Sequence, residues 1–337
     1  MQTNNLSRLY AWHRILGLLV GIPMLLWTIS GIMHPLMSHF FPVESPRGAI
    51  SRPPIDVSQI QTTPASSLEA VGHHSFNRLA MVQIDGIPHY QVRVPGQVEA
   101  VYLNAQDGTI LADGEAQFAA QLARDVVEYP HAVVHSVRTI NRFNNEYTRI
   151  NRVLPVQQVR LEGANGPDLY IDTADRRAMA YNNGLRRAYL HVFAIGHRWS
   201  FLGPDGGIAR TVIIGAFSVF TLIVAVAGVV LFFVMWKLKL RPRSRRHAAH
   251  RWLGLVFSLA LIGFAFSGLI ITWSKTGEQH DHQPLKDNPL PLSYLDDPLK
   301  RMLTQAQNAP FHNLDLVEMD GEHYFRAFPI VEGNRGV

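Results

Sequence analysis

The 337-residue chain contains no cysteine. Structural disulfides, thiolate-bound iron–sulfur clusters and covalent c-type haem attached through C-x-x-C-H are therefore excluded. Neither G-x-G-x-x-G nor G-x-x-x-x-G-K-[ST] occurs, so nothing points to nucleotide or flavin binding. No Ser-His-Asp or paired-carboxylate arrangement stands out. Charge is missing from three long stretches: Ile15 to Val43, Thr211 to Trp236 and Trp252 to Ser274 hold no Asp, Glu, Lys or Arg. A helix needs about 20 predominantly apolar residues to cross a hydrocarbon core of about 30 Å, and all three stretches qualify. Core helices of soluble proteins rarely stay uncharged for so long. The first run is also too long for a cleaved signal peptide and lacks a small-x-small cleavage site.

What is present explains the rest. The formal net charge of +5 raises nucleic acid as a partner, but the basic residues have another use. Lys237, Lys239, Arg241, Arg243, Arg245, Arg246 and Arg251 lie between the second and third apolar stretches with no acidic residue among them. Short basic loops stay cytoplasmic. This loop and the N-terminus, with Arg8 and Arg14, are expected inside a bacterial inner membrane. The long segment after the first stretch and the tail after Ser274 are then expected in the periplasm. Membrane lipid, not nucleic acid, is the expected surroundings.

The chain repeats itself. Trp12-His13-Arg14-Ile15-Leu16-Gly17-Leu18 recurs as Ala249-His250-Arg251-Trp252-Leu253-Gly254-Leu255, and Ser30-Gly31-Ile32 recurs as Ser267-Gly268-Leu269. The first and third spans are copies. In the polar part, Met81 to Ile84 and His89 to Val94 flank Asp85-Gly86, a strong hairpin signal. The tail repeats the phrase as Leu316 to Met319 and His323 to Phe328 around Asp320-Gly321. A second hairpin is expected to join Ala100–Leu103 to Thr109–Leu111 across Asp107-Gly108. Ser66-Ser67-Leu68-Glu69 offers a capping box ahead of a helix running to Ala80, and Pro298 to Asn308 reads as its counterpart in the tail. Val153 to Arg160 and Leu169 to Asp172 read as a further copy of the strand pattern.

The expected fold class is a membrane α-helical bundle with three visible spans, to which a fourth absent one would belong, and periplasmic α+β units. The expected divisions are helix 8–38, a periplasmic α+β domain 39–206, helix 207–236, a basic cytoplasmic loop 237–249, helix 250–274 and a periplasmic unit 275–337. A further strand is expected where the sequence stops at Val337, so this last unit is expected to be incomplete.

These phrases resemble the PepSY-associated transmembrane family. The matching parts are His13-Arg14 to Gly17 with Ser30-Gly31, Asn145-Glu146-Tyr147 leading to Arg152-Val153-Leu154-Pro155-Val156, Tyr170-Ile171-Asp172, and His250-Arg251-Trp252-Leu253-Gly254. In layout the chain is most similar to FoxB-type siderophore-iron reductases. The resemblance implies a haem-bearing oxidoreductase that passes electrons across the inner membrane to a ferric siderophore. Members often carry a fourth transmembrane helix, which this sequence does not show.

Ionisable groups within membrane helices default to function. His13 and His250 occupy equivalent positions of the copied spans, and two imidazoles can supply both axial ligands of a b-type haem. Gly17 and Gly254 follow each histidine by four residues on the same helix face, leaving a groove for a flat macrocycle. In the third span that stripe continues through Ser258, Leu261 and Ala265. His34 lies 21 residues after His13, roughly 31 Å along the axis and about 60° around it. One helix then presents a histidine at each membrane surface, as two haem b groups in relay require. The outer partner is expected from Leu190 to Trp199: His197, whose His-Arg-Trp repeats the inner motif, or His191. The bland alternatives are headgroup-facing histidines, glycines that serve helix packing, and His34 merely ending its helix before Pro35. Among the other histidines, the i, i+4 spacing of His131 and His135 would serve a metal or a haem edge but fits a solvated helix face better. His73-His74 and the Glu278-Gln279-His280-Asp281-His282 cluster could bind a metal ion but read better as exposed polar loops.

The leading expectation is thus a dihaem ferric-siderophore reductase supplied by quinol or a cytoplasmic electron donor. The alternatives are a non-enzymatic PepSY-type binding or regulatory protein, and an electron donor to a periplasmic redox protein.

Overall fold

The computed structural model describes residues 2–40, 54–127, 129, 131–163, 166–203, 207–274, 289–295, 311–319 and 322–329. In chain order the helices are α1 (Gln2–Phe40), α2 (Pro64–Ala70), α3 (Gly114–Val126), α4 (Gly184–Gly196), α5 (Ile208–Lys237) and α6 (Arg245–Ser274). The strands are β1 (Ser75–Phe76), β2 (Arg78–Ile84), β3 (Ile87–Arg93), β4 (Val101–Asn104), β5 (Val134–Ile140), β6 (Val156–Leu161), β7 (Asp168–Asp172), β8 (Arg177–Asn182), β9 (Leu290–Pro291), β10 (Phe311–Met319) and β11 (Glu322–Pro329). The chain divides into two units, one of Met1–Pro42 and Ala188–His280, the other of Val43–Arg187 and Asp281–Val337.

The first unit holds three helices long and apolar enough to cross a membrane: Asn5–Met37, Ile208–Lys237 and Arg245–Ser274. Helix α5 packs against both α1 and α6. The buried residues of α5 and α6 are mostly small or polar: Ser218, Thr221, Ala225 and Ala227 on α5, with Ser258 and Ala265 on α6, beside the larger Leu231. Large apolar side chains point the other way, among them Val256, Phe257, Leu259 and Phe264 on α6. This inside-out pattern suits lipid, where association relies on close backbone approach. Hydroxyls inside the spans donate within their own helices, Ser218 Oγ to Ile214 O at 3.0 Å and Thr221 Oγ1 to Phe217 O at 2.8 Å, so no bond to water is needed.

The second unit is built on two antiparallel sheets, ordered β11-β10-β2-β3-β4 and β5-β6-β7-β8, with a short β1-β9 pair. Asp85, at φ 49°, and Gly86, at φ 83°, make the turn between β2 and β3. Both central residues have the positive φ of a two-residue hairpin loop. One core packs Leu68 of α2 with Phe76, Leu79, Met81, Leu292, Phe311 and Leu314. A second packs Phe118, Leu122 and Val126 of α3 against Val82, Ile84 and Tyr102 of one sheet and Val159, Leu161, Leu169 and Ile171 of the other. The spacing of four residues between Phe118, Leu122 and Val126 puts them on one helix face.

Several expectations change here. The helix expected to run from Ser66 to Ala80 ends at Ala70, and its cap is Thr63, whose side chain accepts from Ser66 N. Arg78 onward is strand β2. The tail hairpin is no separate unit: β10 pairs with β2 through Leu314↔Met81 and Asp315↔Ala80, completing the first sheet. Burial is the reason, because Phe311 and Leu314 belong to the same core as Leu79 and Met81. The loop at Asp107-Gly108 closes on one bridge, Leu103↔Ile110, and not on a full second strand. Pro298 to Asn308 lies outside the described residues.

A buried polar knot ties α3 to both sheets. The Glu115 carboxylate, 8% exposed, accepts from Tyr102 Oη at 2.9 Å and from Thr173 Oγ1, while Gln91 Nε2 donates to Tyr102 Oη at 2.7 Å. Burial raises the Glu115 pKa above its ordinary value, outweighing the two hydroxyl donors that favour the anion. The native state then holds a proton that the unfolded chain has already released, so this group's contribution to stability falls as pH rises from the ordinary glutamate pKa, about 4.3, through the raised one. Glu115→Gln removes that slope. Chemical unfolding of wild type and variant across this range is expected to show the variant gaining relative stability as pH rises; parallel curves would contradict it.

Candidate functional site

The copied spans bring their histidines together. His13 of α1 and His250 of α6 have ring centroids 6.3 Å apart with planes inclined at 50°. His13 Nδ1 lies 3.1 Å from the carbonyl oxygen of Val224 on α5. A carbonyl only accepts, so Nδ1 carries the proton and Nε2 keeps its lone pair. This is the arrangement by which metal-bound histidines are oriented and made more basic. Gly228, one turn further along α5, leaves room for the ring: a Cβ there would sit 3.2 Å from His13 Cε1 and 3.9 Å from Ser258 Oγ. His250 is exposed on the same helical layer.

A second imidazole is held at the other end of α1. His197, just beyond α4, has Nδ1 3.3 Å from Trp27 O and 3.3 Å from Ser30 Oγ. Trp27 Nε1 donates in return to His197 O. A Cβ on Gly31 would meet His197 Cε1 at 3.3 Å, and one on Gly196 would meet Ser30 Cβ at 3.6 Å. Phe193 stacks on the ring at 4.7 Å and 20°, while Trp199 packs against Trp27 at 5.7 Å and Phe217 at 5.2 Å. Again the carbonyl, which only accepts, is matched by a proton on Nδ1.

The expected residues are thus only partly gathered. His13 and His250 meet. Of the two outer alternatives, His197 is packed into α1, whereas His191 is exposed on α4. His34 stands in α1, but its side chain lies outside the described residues, as do Glu278 to His282. His131 and His135 share no helix face: His131 is in a turn and His135 on β5, both exposed, because the chain there is extended against β6. Two participants escaped the sequence reading. Gly228 sits in an unbroken apolar run, where nothing marks it off from neighbouring small residues. The Val224 carbonyl is a backbone atom and has no sequence signal at all.

The repeat is also used unequally. Ser30-Gly31 receives His197, whereas its copy, Ser267-Gly268, is open among the described residues: there Ser267 Oγ donates to Phe264 O alone, and a Cβ built on Gly268 meets nothing within 4 Å beyond its own helix. Equal sequence does not give equal packing.

Does the inner pair suit a metal macrocycle? Two imidazoles on one metal, each metal–nitrogen bond about 2 Å long, hold their ring centroids about 6 Å apart. The observed 6.3 Å meets that spacing, the Nε2 lone pair of His13 is kept by the Val224 hydrogen bond, and the glycine at position 228 gives clearance. Among the described residues, no group of three or more His, Cys, Asp or Glu side chains clusters as a metal site. The residues present fit a group bound by two imidazoles from opposite sides.

Fold and site together define a membrane protein with three candidate spans and a sheet-rich unit outside them. A family model described as "PepSY-associated TM region" matches residues 10–312, and the chain belongs to that family. No curated protein and no solved structure matches the chain.

Proposed function

We propose that the chain is an electron-transfer protein of the bacterial inner membrane, binding two b-type haems and reducing ferric siderophore on the periplasmic side so that iron is released there. The observation that carries this reading is the His13–His250 pair at 6.3 Å, drawn from two copied spans and cleared by Gly228. His13 and His250 would hold the inner haem. His197 would hold the outer one, with His34 as its partner from α1. Haem, when bound, supplies one-electron redox chemistry. The protein's part is to fix the ligands and exclude water. The Val224 and Trp27 carbonyls set each imidazole's tautomer, and the aromatic wall of Phe193, Trp27, Trp199 and Phe217 shields the outer one.

The basic loop from Lys237 to Arg251 favours the cytoplasmic side, which leaves the sheet-rich unit outside, where a ferric siderophore would dock. Quinol or a cytoplasmic donor would supply the electron. One electron converts Fe(III) to Fe(II), and the lower charge weakens its hold on hard oxygen ligands, so the ion is surrendered. The siderophore-reductase part of this reading draws on the resemblance to FoxB-type reductases.

The test is spectroscopic. Protein purified in detergent is expected to be red, with a Soret band that shifts on dithionite, and to be reoxidised by a ferric siderophore. A folded, colourless preparation that cannot take up haem would end the proposal. A red protein that ferric siderophores leave reduced would redirect it to a periplasmic redox partner.

A further inference from the structure

The segment between β5 and β6 carries residues that the electron-transfer reading does not use. Asn145-Glu146-Tyr147 and the following Arg152 stand out in the sequence, and the structure shows that this loop is braced. The Tyr147 side chain is fully buried, stacked on Phe143 at 5.9 Å and on Tyr170 at 4.7 Å. Its Oη donates to Val153 O at 2.9 Å. Asn144 Oδ1 accepts from Glu146 N and Tyr147 N at 2.8 and 2.7 Å, and Asn182 Nδ2 donates to Glu146 O at 2.9 Å. Beyond Tyr147 the chain makes a single 3-10 turn, Arg149–Asn151, capped by Arg152 at φ 63°.

That scaffold lifts one aliphatic side chain into the open. Ile150 is 81% exposed, more than any other large apolar residue in the chain's described part, the membrane-spanning helices included. Arg149 and Arg152 flank it, and Arg138 and Arg142 at the base of the same loop are also exposed. Glu146, whose carboxylate accepts from Tyr170 Oη at 3.3 Å, is the acidic residue between Arg138 and Arg160. An isolated apolar residue on a surface needs no explanation. A rigid turn that presents isoleucine within a set of arginines is another matter, because the two chemistries together match one kind of surface. Guanidinium groups pair with phosphates while an aliphatic tip enters the headgroup–acyl boundary.

We propose that the 141–152 loop is a lipid-docking tip, with Ile150 entering the interface of the bilayer in which the chain is embedded and the arginines binding anionic headgroups. The occupant is anionic phospholipid rather than protein. The positive charge of the tip is complementary to phosphate, and the chain's own apolar spans keep it beside a bilayer. Pre-ordering by Tyr147 and Asn144 lowers the entropy lost on docking.

The lack of cysteine permits a clean test on the full chain. Ile150→Cys, labelled with a fluorophore and reconstituted in nanodiscs containing phosphatidylglycerol, is expected to be quenched by nitroxide-bearing lipids. A label at Val98→Cys, in the turn after β3, serves as the comparison. Arg149→Gln and Arg152→Gln are each expected to lower the docked-to-undocked ratio about fivefold, and all-phosphatidylcholine discs to lower it further. These substitutions lie on exposed positions and leave the Tyr147 stack in place. A label at 150 that aqueous quencher reaches freely in both discs would overturn the proposal. So would a label shielded from aqueous quencher and nitroxide lipid alike, which would mean a protein cover. Quenching by lipid that ignores headgroup charge would overturn the part assigned to the arginines.

Discussion

Alanine in place of either His13 or His250 is expected to remove the same haem and leave the other, so the haem-to-protein ratio falls by about half in each variant and no further in the double one. The reason is geometric. The two rings come from different helices with centroids 6.3 Å apart, the spacing of two imidazoles on one metal, so a single metal held there would need both. His13 adds one hydrogen bond to the α1–α5 contact, through Val224 O, and His250 is exposed, while the packing of α5 against α1 and α6 extends well beyond these two rings. Loss of the group should therefore come without loss of fold. Gly228→Val is expected to copy the phenotype with both histidines still in the sequence, because even a Cβ at this position would press on His13 Cε1. His191→Ala is expected to leave both haems, and His197→Ala to remove the one that His13→Ala retains. Reduced-minus-oxidised spectra with haem quantification decide among these outcomes. If His13→Ala and His250→Ala removed two different haems, the pairing would be wrong while the cytochrome reading survived.

The spans were legible because lipid imposes a simple demand: about 20 residues without charge. Internal repetition pointed to the copied histidines, because it needs no knowledge of packing. The hairpin at Asp85-Gly86 was equally plain, because its turn requires positive φ at both positions. Strand β2 was harder. Leu79 and Met81 face one core while Val82 and Ile84 face another, so the alternation that marks a half-exposed strand is absent and the stretch from Val71 to Ala80 passes for helix. Helix α3 did carry a signal in Phe118, Leu122 and Val126. Its alanines and the short distance from the preceding hairpin hid it. That β10 would join β2 was beyond reach, because strand partners far apart in sequence are chosen by shared core and not by local pattern. The same limit holds at the site. His197 differs from His191 only in being packed into α1 by Trp27, Ser30 and Gly31, residues that lie in another span.

Asp168→Ala is expected to cost the sheet-rich unit about 3 kcal/mol, the low end for breaking a buried ion pair because Arg160 still reaches water. Asp168 is fully buried at the start of β7. Its two oxygens accept from Arg160 Nε and Nη2 on the neighbouring strand β6, at 2.7 and 2.9 Å, and from Arg187 Nη1 at 3.0 Å. Arg187, a few residues into α4, also donates to Gly166 O at 3.0 Å, so one carboxylate fastens the β6–β7 pair and the start of that helix together. Removing it leaves two guanidiniums without their carboxylate, Arg187 the less exposed of the two. Asp168→Asn keeps the volume and one acceptor, and should cost less. Pulse proteolysis of the full chain in detergent over a urea series reads the loss as an earlier cleavage midpoint; an unchanged midpoint would mean that both arginines swing into water without penalty. The spectrum assigned to His13 and His250 should not move in this variant. Those two histidines sit on α1 and α6, which pack through α5. A shift in that spectrum would instead tie the ligand geometry to the sheet-rich unit.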